Sequence, residues 1–364
     1  MGLVSSTCLG SSFARAASIA APRLKTIIVT FGGGARDEET FAEDGQQNIP
    51  HLLRDLLPQG TFFTQVINGG ILGHYVATAS IVTGTYERFN NFIAQPPPNP
   101  TLFECFRKEL RRPSTDAWVI APSNGFQRIG SSSHTAFGPQ YGAGVILPKR
   151  LLSAALNSGK PSQGDRLAHL MQDNYEMPVY QPLESTYDHE LHLNTLESTL
   201  KLSISDFVHD AKTLDSADEL SVFIARQLMR QYSPSLMMLT LHDMDIAHSG
   251  AFSLYVDAIQ RADRLCADLW SMIQSDPEYK DRTTLYIMPD FGRDADDDPA
   301  GNGFQHHRTG GASARTTWLL ALGPHIRHNA VVEHPIESID LVPTIGRHLG
   351  FATHSTGRAI EELV

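Results

Sequence analysis

Two aspartates and two histidines lie close together in HDMDIAHSG at 242–250, directly after an apolar run. Carboxylate oxygens and imidazole nitrogens are ligands that zinc and similar divalent ions take in proteins. Asp243, Asp245 and His248 are therefore candidate metal ligands. The same side chains could instead form a hydrogen-bonded polar cluster without an ion, and the pattern alone leaves both interpretations open.

A second group of candidate ligands follows a later apolar run, TTLYIM at 283–288. Asp290 comes shortly after it, and the pair His306-His307 precedes the next apolar run. Adjacent side chains of an extended segment point to opposite sides, so at most one of these two rings can join a ligand set. We favour His307.

Two arginines could bind an anion. Arg36 follows a run of three glycines after the first apolar run, and Arg293 follows Asp290. A guanidinium can hold a phosphate or sulfate group with two parallel hydrogen bonds, which makes both residues candidate substrate-binding groups. Structural salt bridges with nearby acidic residues are the alternative.

His74 begins a predicted helix at 74–83. The positive end of a helix dipole disfavours an imidazolium, so we expect His74 to be neutral. A neutral imidazole at this place could act as a catalytic general base or as a metal ligand.

These side chains come from distant segments of the chain, so they can form one site only if the fold brings the segments together. Short apolar runs alternate with helical patterns, which predicts a three-layer α/β/α fold with a mainly parallel sheet. In such sheets the functional groups collect at the carboxyl ends of the strands. The predicted strands are 26–31, 61–67, 116–121, 235–241, 283–288 and 316–322, and the predicted helices are 49–57, 74–83, 101–110, 217–232, 252–273 and 337–349.

The chain of 364 residues is long enough for one large α/β domain with an insertion. Glycine- and serine-rich stretches interrupt the alternation at about 124–214, which we interpret as an inserted cap. Residues 1–24 are rich in Ser and Ala and lack acidic side chains, as in an N-terminal arm or the remnant of an export signal. We therefore expect one domain at 25–364.

Composition excludes several classes of protein. The formal net charge of -11 argues against a nucleic-acid partner, because phosphate affinity comes from clustered Lys and Arg. No run of 18 apolar residues is present, so we expect no transmembrane segment. Three widely spaced cysteines give no disulfide framework.

In their order along the chain, these motifs resemble the alkaline phosphatase and sulfatase superfamily. The resemblance spans about 26–92 and 235–350 and leaves the predicted cap uncovered. It implies a metal-dependent hydrolase of phosphate or sulfate esters, with one of two ions held by an Asp and a His of the HDMDIAHSG element and by a later His. The segments that carry it are IIVTFGGGARDE, NIPHLL, GTFFTQVIN, GHYVATASIVTG, HDMDIAHSG, TTLYIMPDFGRD, HHRTGG, WLLALGPHI and IESIDLVPTIGRHLGF.

Departures from the family pattern fall on its catalytic groups. The metal-binding Asp that ends the family's first strand is replaced by Gly32 or Gly33, and its Asp-His-Gly reads Asp-Phe-Gly at 290–292. The nucleophile position falls at or near His74, and no hydroxyl or thiol side chain lies at 68–74. The resemblance therefore implies that the second metal site and the nucleophile have been lost.

The other metal site keeps its ligand types. The family places its Asp four residues before its His, whereas Asp243 lies five and Asp245 three residues before His248. The choice stays open, with a slight preference for Asp243 because it leaves the strand first. Together with His307 these residues could hold one divalent ion, and zinc suits the ligand types best.

Two functions follow as hypotheses. We expect a catalytically degenerate sulfatase- or phosphatase-like protein that acts as a binding or assembly subunit, with protein partners or as a homo-oligomer. The alternative is a divergent single-metal hydrolase of a small anionic phosphate or sulfate ester, with His74 as its catalytic residue. The N-terminal segment and the resemblance favour the periplasm or cell surface, and a cytoplasmic location stays open.

Overall fold

The computed structural model describes residues 23–122, 124–158, 167, 170 and 186–364. The strands of these residues form one mixed sheet. Their bounds are β1 Lys25–Phe31, β2 Gly60–Ile67, β3 Ala117–Ile120, β4 Gly144–Ile146, β5 Leu236–Leu241, β6 Thr283–Pro289, β7 Thr316–Leu322, β8 Ala330–Val332 and β9 Ile336–Glu337. The spatial order is β4-β3-β5-β1-β6-β7-β2-β8, and β9 also pairs with β2.

Helices cover the sheet. Their bounds are α1 His74–Thr83, α2 Leu102–Glu109, α3 Pro148–Asn157, α4 Thr186–Asn194, α5 Ile204–Ala211, α6 Ala217–Tyr232, α7 Phe252–Ser275, α8 Ala312–Arg315 and α9 Leu341–Leu349. A 3₁₀ helix, Asp243–Ser249, links β5 to α7. Two separate apolar clusters of buried side chains pack against the sheet, which accounts for its apolar strands.

The central strands position the candidate site. β1 pairs in parallel with both β5 and β6, so the carboxyl ends of these three strands meet at one edge. Every residue of the three strands is buried. The loops that leave this edge carry Gly32, Asp245 and Asp290, and the first residue of α1 lies beside them.

The prediction of a mainly parallel sheet with covering helices is confirmed. All six predicted strands are present, and β7 is the antiparallel member, paired with β2 and β6. The helix predicted at 49–57 differs, because a π-helical turn at Leu52–Leu56 and a 3₁₀ turn at Leu57–Gln59 replace regular α-helix.

The domain boundaries remain predictions. β4 falls within the predicted insertion at 124–214 and pairs with β3 at one end of the sheet, so this segment contributes to the main domain. Most of the predicted N-terminal arm, residues 1–22, lies outside the described residues. Within the described ranges, none of the helices combines the length and the apolar character needed to cross a bilayer.

Candidate metal centre

Four side chains from distant parts of the chain converge at the carboxyl edge of the sheet. They are His74 at the start of α1, Asp245 and His248 on the 3₁₀ helix after β5, and His307 in the loop before α8. One ligand atom from each residue lies within 4.8 Å of all the others. Three imidazole nitrogens and one carboxylate oxygen are a donor set that zinc accepts.

The separations suit a single ion. Oδ1 of Asp245 lies 3.1 Å from Nε2 of His74 and 3.2 Å from Nε2 of His248. Nε2 of His248 lies 3.2 Å from Nε2 of His307. Zinc bonds of about 2.0–2.1 Å in tetrahedral geometry place neighbouring ligand atoms about 3.3 Å apart, which is close to these three separations. The other pairs of ligand atoms lie within 4.8 Å of one another.

His74 is oriented towards the cluster by a carboxylate on the other side of its ring. Its Nδ1 lies 2.7 Å from Oδ2 of Asp290, which leaves Nε2 to face the cluster. This Nε2 is buried and lies 3.1 Å from Oδ1 of Asp245, in an ion-pair contact that does not have the geometry of a hydrogen bond. A carboxylate behind one ring nitrogen is the usual way in which a metal-bound histidine is oriented. The predicted ligand Asp290 therefore lies behind His74, on the far side of its ring from the cluster.

The local helix geometry decides between the two aspartates. A 3₁₀ helix has three residues per turn, so side chains at i and i+3 lie above one another. Asp245 and His248 share one side of Asp243–Ser249 for this reason. Asp243 instead accepts a hydrogen bond from Asp218 N at 3.2 Å and lies 3.5 Å from Arg261 Nη1. The structure therefore places Asp243, the aspartate that we favoured, outside the cluster.

The two adjacent histidines have different positions, as expected. His307 contributes to the cluster. Nδ1 of His306 lies 3.0 Å from Nδ1 of His248, and Nε2 of His306 accepts from Arg308 Nη2 at 2.7 Å. His306 therefore supports His248 from behind rather than adding another ligand atom.

Arg293 is built into the protein next to Asp245. Its side chain is fully buried and donates to the main-chain oxygens of Gly33, Gly34 and Phe304. It also donates to Oδ1 of Asp245 at 3.1 Å. These acceptors occupy the guanidinium, so the structure places Arg293 in the interior and not on a surface that a substrate could reach.

Arg36 is likewise held by protein groups. It is 4% exposed, donates to both carboxylate oxygens of Glu39, and reaches Asp296 at 2.7 Å. For both arginines the structure therefore contains the salt bridges that were the alternative to substrate binding. Both guanidinium groups stabilise the loops around the cluster.

Close backbone approach explains the glycine at the end of β1. A Cβ atom on Gly33 would collide with the main-chain nitrogen of Asp245 and with the side chain of Met244. A larger residue would push the 3₁₀ helix away from β1. Gly33 thus allows Asp245 to lie directly over the strand end.

The protonation states depend on the charges in the cluster. Burial alone would lower the pKa of His74, but the carboxylates of Asp290 and Asp245 raise it to about 9. This reverses our expectation from the helix dipole, because two adjacent full charges outweigh a partial one. Burial and the neighbouring cations lower the pKa of His307 to about 2. Despite its burial, Asp245 has a pKa well below the usual range because His74 and His248 surround it.

One residue that supports the site was missing from the sequence predictions. Asp218, in the first turn of α6, accepts hydrogen bonds from the main-chain nitrogens of His242 at 2.7 Å and Asp243 at 3.1 Å. It therefore anchors the start of the 3₁₀ helix. Its sequence signal was only an acidic residue after the helix-capping Ser216, which is common at helix N-termini.

A cavity of about 360 Å³ opens beside the cluster. Among the described residues, its lining includes no serine, threonine or cysteine. The main-chain nitrogens of Tyr75 and Val76, in the first turn of α1, donate to Oδ1 of Asn91 at 3.1 and 3.3 Å. The N-terminus of α1 is therefore capped by a side chain.

Comparison with known proteins gives similarity in structure only. No protein-family model and no curated protein matches the sequence. The phosphonate monoester hydrolase SpPMH from Silicibacter pomeroyi is similar with a TM-score of 0.54 and 16% identity, over 93% of this chain and 76% of that one.

Two further solved structures agree with it. The lipoteichoic acid synthase LtaP from Listeria monocytogenes gives a TM-score of 0.53 at 12% identity, over 94% of this chain and 76% of that one. A mutant of the alkaline phosphatase PafA gives 0.53 at 10% identity, over 95% of this chain and 100% of that one. At such low identity the likeness establishes the fold, and it confirms at that level the resemblance seen in the motifs. The chain has the α/β fold of the alkaline phosphatase superfamily.

Proposed function

We propose that this protein is a catalytically degenerate, alkaline-phosphatase-like protein that binds one divalent metal ion and acts as a binding or assembly subunit. The observation that carries the proposal is His74. Its ring places a fourth ligand atom in the cluster at the start of α1, where the family resemblance puts the nucleophile. A ligand therefore occupies the position from which an ester would be attacked.

The number of ligands favours a structural site. Zinc sites with four protein ligands are closed and contribute to stability, whereas catalytic zinc keeps a position open for water. His74, Asp245, His248 and His307 together can fill a tetrahedral shell. Zinc is the ion that best fits three imidazoles and a carboxylate. A bound ion would link α1 to the loops after β5 and β6.

The surroundings lack the other parts of an ester hydrolase. Arg36 and Arg293 donate their hydrogen bonds to protein groups, and the side chain of Asn91 accepts from main-chain amides at the start of α1. Among the described residues that line the cavity, an anionic ester would find no serine, threonine or cysteine nucleophile, and neither Arg36 nor Arg293 lines it. The exposed Arg308 is the cation that remains there, and it lies at the mouth.

The experiment combines metal analysis with turnover. We expect the purified protein to take up one zinc per chain and to hydrolyse neither aryl phosphate nor aryl sulfate. His248→Ala should abolish stoichiometric zinc, while His328→Ala, an exposed histidine outside the cluster, should leave it unchanged. Cobalt substitution should give the spectrum of a four-coordinate ion without water. A metal-free protein, or turnover that depends on His248, would contradict the proposal.

The cavity supports one alternative, a single-metal hydrolase. In that case Asp245, His248 and His307 would hold the ion, the ion would provide Lewis-acid chemistry, and His74 would take a proton from the reacting water. Turnover would then fall in His74→Gln while zinc content stayed at one per chain. If His74 is instead the fourth metal ligand, His74→Gln should weaken zinc binding, and neither the native protein nor the variant should show turnover.

Assembly and location complete the proposal. A single chain has a mass of 40.0 kDa. If the protein self-associates or binds a protein partner, light scattering on a sizing column should give a larger mass. Location in the periplasm or at the cell surface is proposed from the N-terminal segment, and fractionation of cells that make the full chain tests it.

A further inference from the structure

The cavity beside the metal centre has two kinds of wall. Its lining includes His74, His248 and His307 of the cluster, and it also includes apolar side chains such as Ile71 and Phe92. A volume of about 360 Å³ admits a small molecule. An occupant would therefore touch the cluster at one end and hydrocarbon at the other.

The apolar wall is unusually open to solvent. Ile71 is 41% exposed and Phe92 is 52% exposed, although both line the cavity. Neighbouring Ile93 is also exposed, at 47%. Large apolar side chains gathered at the edge of a cavity mark a surface that an apolar group can cover.

The mouth of the cavity is positively charged. Arg308 lines it, is exposed, and uses one nitrogen to donate to His306. A guanidinium has five N–H donors, so it can also bind an acceptor from solution. An anion at the mouth could thus hydrogen bond to Arg308 without breaking the contact with His306.

The metal centre adds to this charge. Asp245 and Asp290 carry two negative charges, and Arg293 offsets one of them. A divalent ion then makes the buried cluster positive overall, next to the cation of Arg308. The positive charge of the ion and of Arg308 would favour an anion in the cavity.

The capped helix limits which anions suit the cavity. Asn91 already accepts from the first amides of α1, so these amides do not offer the several donors that a phosphate needs. Two parallel donors of one guanidinium satisfy both oxygens of a carboxylate, whereas a phosphate has further oxygens that need other donors. The remaining volume and the apolar wall match a hydrocarbon body attached to it.

We propose that this cavity binds a small organic carboxylate, with the charged group at Arg308 beside the metal centre and the apolar body against Ile71 and Phe92. The inference rests on the proposed function, since the bound ion supplies part of the charge. It gives the site a class of ligand that is held without being hydrolysed.

The test uses the full chain loaded with zinc and 3-phenylpropionate as the probe. Calorimetric titration should detect binding of the acid. The uncharged 3-phenylpropionamide should bind about tenfold more weakly or not at all, because it lacks the charge. Inorganic phosphate at the same concentration should not displace the acid.

Variants locate the binding site. Arg308→Gln should weaken binding of the acid about tenfold and leave the amide unaffected. Its matched control is Arg327→Gln, an exposed arginine outside the cavity. Phe92→Ala should weaken binding about threefold or more, and Phe252→Ala, another exposed aromatic side chain outside the cavity, should not.

The outcomes separate this inference from the proposed function. Equal binding of acid and amide, or equal affinity in the two arginine variants, overturns the inference. A zinc-loaded protein that does not bind the acid also overturns it and leaves the metal site intact. A protein that cannot be loaded with zinc overturns the proposed function. It also overturns the carboxylate site, because that site depends on the charge of the ion.

Discussion

His74 is held between two carboxylates through its two ring nitrogens. Asp290 contacts Nδ1 and Asp245 lies beside Nε2. Without an ion, the pKa of about 9 keeps this ring protonated at neutral pH. An imidazolium has no lone pair to give, so an incoming ion must first displace the proton from Nε2.

Zinc affinity should therefore depend on pH. Below about pH 9, each unit of acidification should weaken binding about tenfold, because one proton competes with the ion. Competition with a chelator of known affinity, repeated from pH 6.5 to 9.5, measures the slope. In His74→Gln the slope should vanish over this range, since the amide does not titrate. A flat profile in the native chain would mean that His74 is not a ligand.

Asp290 should influence the ion only through His74. Asp290→Asn should keep one zinc per chain and weaken its binding about 10- to 100-fold, because the ring loses a charged partner that orients it. Asp257→Asn, an exposed residue of α7, is the matched control. Equilibrium dialysis gives both stoichiometry and affinity. Complete loss of the ion would instead indicate that Asp290 binds metal itself.

The 3₁₀ helix after β5 is the element that sets the ligand geometry. Gly33 lets it lie close to β1, and Asp218 of α6 holds its first main-chain nitrogens. Asp243 completes the link by accepting from Asp218 N. Two aspartates thus join α6 to the loop that carries Asp245 and His248, and we expect the ligands to loosen when this link is cut.

Asp218→Ala should cost about 2–4 kcal/mol of unfolding free energy, because two buried main-chain donors lose their acceptor. Zinc binding should weaken as well. Asp218→Asn keeps one acceptor oxygen and should lie between this variant and the native protein. Urea unfolding of metal-free protein measures the stability, with Asp215→Ala, an exposed neighbour, as the control. Unchanged stability in Asp218→Ala would mean that water replaces the carboxylate at no cost.

At the scale of the whole molecule, stability should depend jointly on zinc and pH. In the metal-free chain the raised pKa of His74 stabilises the fold fully below about pH 6.5, and this contribution is lost as pH rises through about 9. Zinc binding has the opposite dependence, since it becomes stronger as the proton leaves. The stabilisation by zinc should therefore grow with pH.

Thermal unfolding at pH 6.5 and pH 9, with zinc or with chelator, measures this dependence. Zinc at about 100 times its dissociation constant should add about 2.7 kcal/mol, and a fixed zinc concentration should raise the melting temperature more at pH 9. The chelated protein should melt lower at pH 9 than at pH 6.5. Equal increments at both values would contradict the link between His74 and the ion.

The fold could be predicted from the sequence because its central strands are unambiguous. β1, β5 and β6 are mostly apolar and fully buried, and the motifs after them occur in the family order. The edge strands β4 and β8 are three residues long, and a stretch that short carries no pattern that separates it from a loop. The π-helical turn at Leu52–Leu56 also has no sequence signature of its own.

The candidate site could be predicted only in part. His248 and His307 were proposed from residue type and order, and both lie in the cluster. The choice between Asp243 and Asp245 depends on a 3₁₀ rather than an extended conformation, which the sequence does not specify. The pKa of His74 depends on Asp290, which lies 216 residues away in the chain. Electrostatics of this kind become visible only when the chain is folded.

Arg293 is part of the chain, so its positive charge is always present beside the cluster. The charge of a bound metal ion, in contrast, is lost when a chelator removes the ion or when metal is scarce. The carboxylate of Asp245 is balanced in this permanent way by Arg293. We therefore expect the metal-free protein to stay folded with the side chains of the cluster already in place.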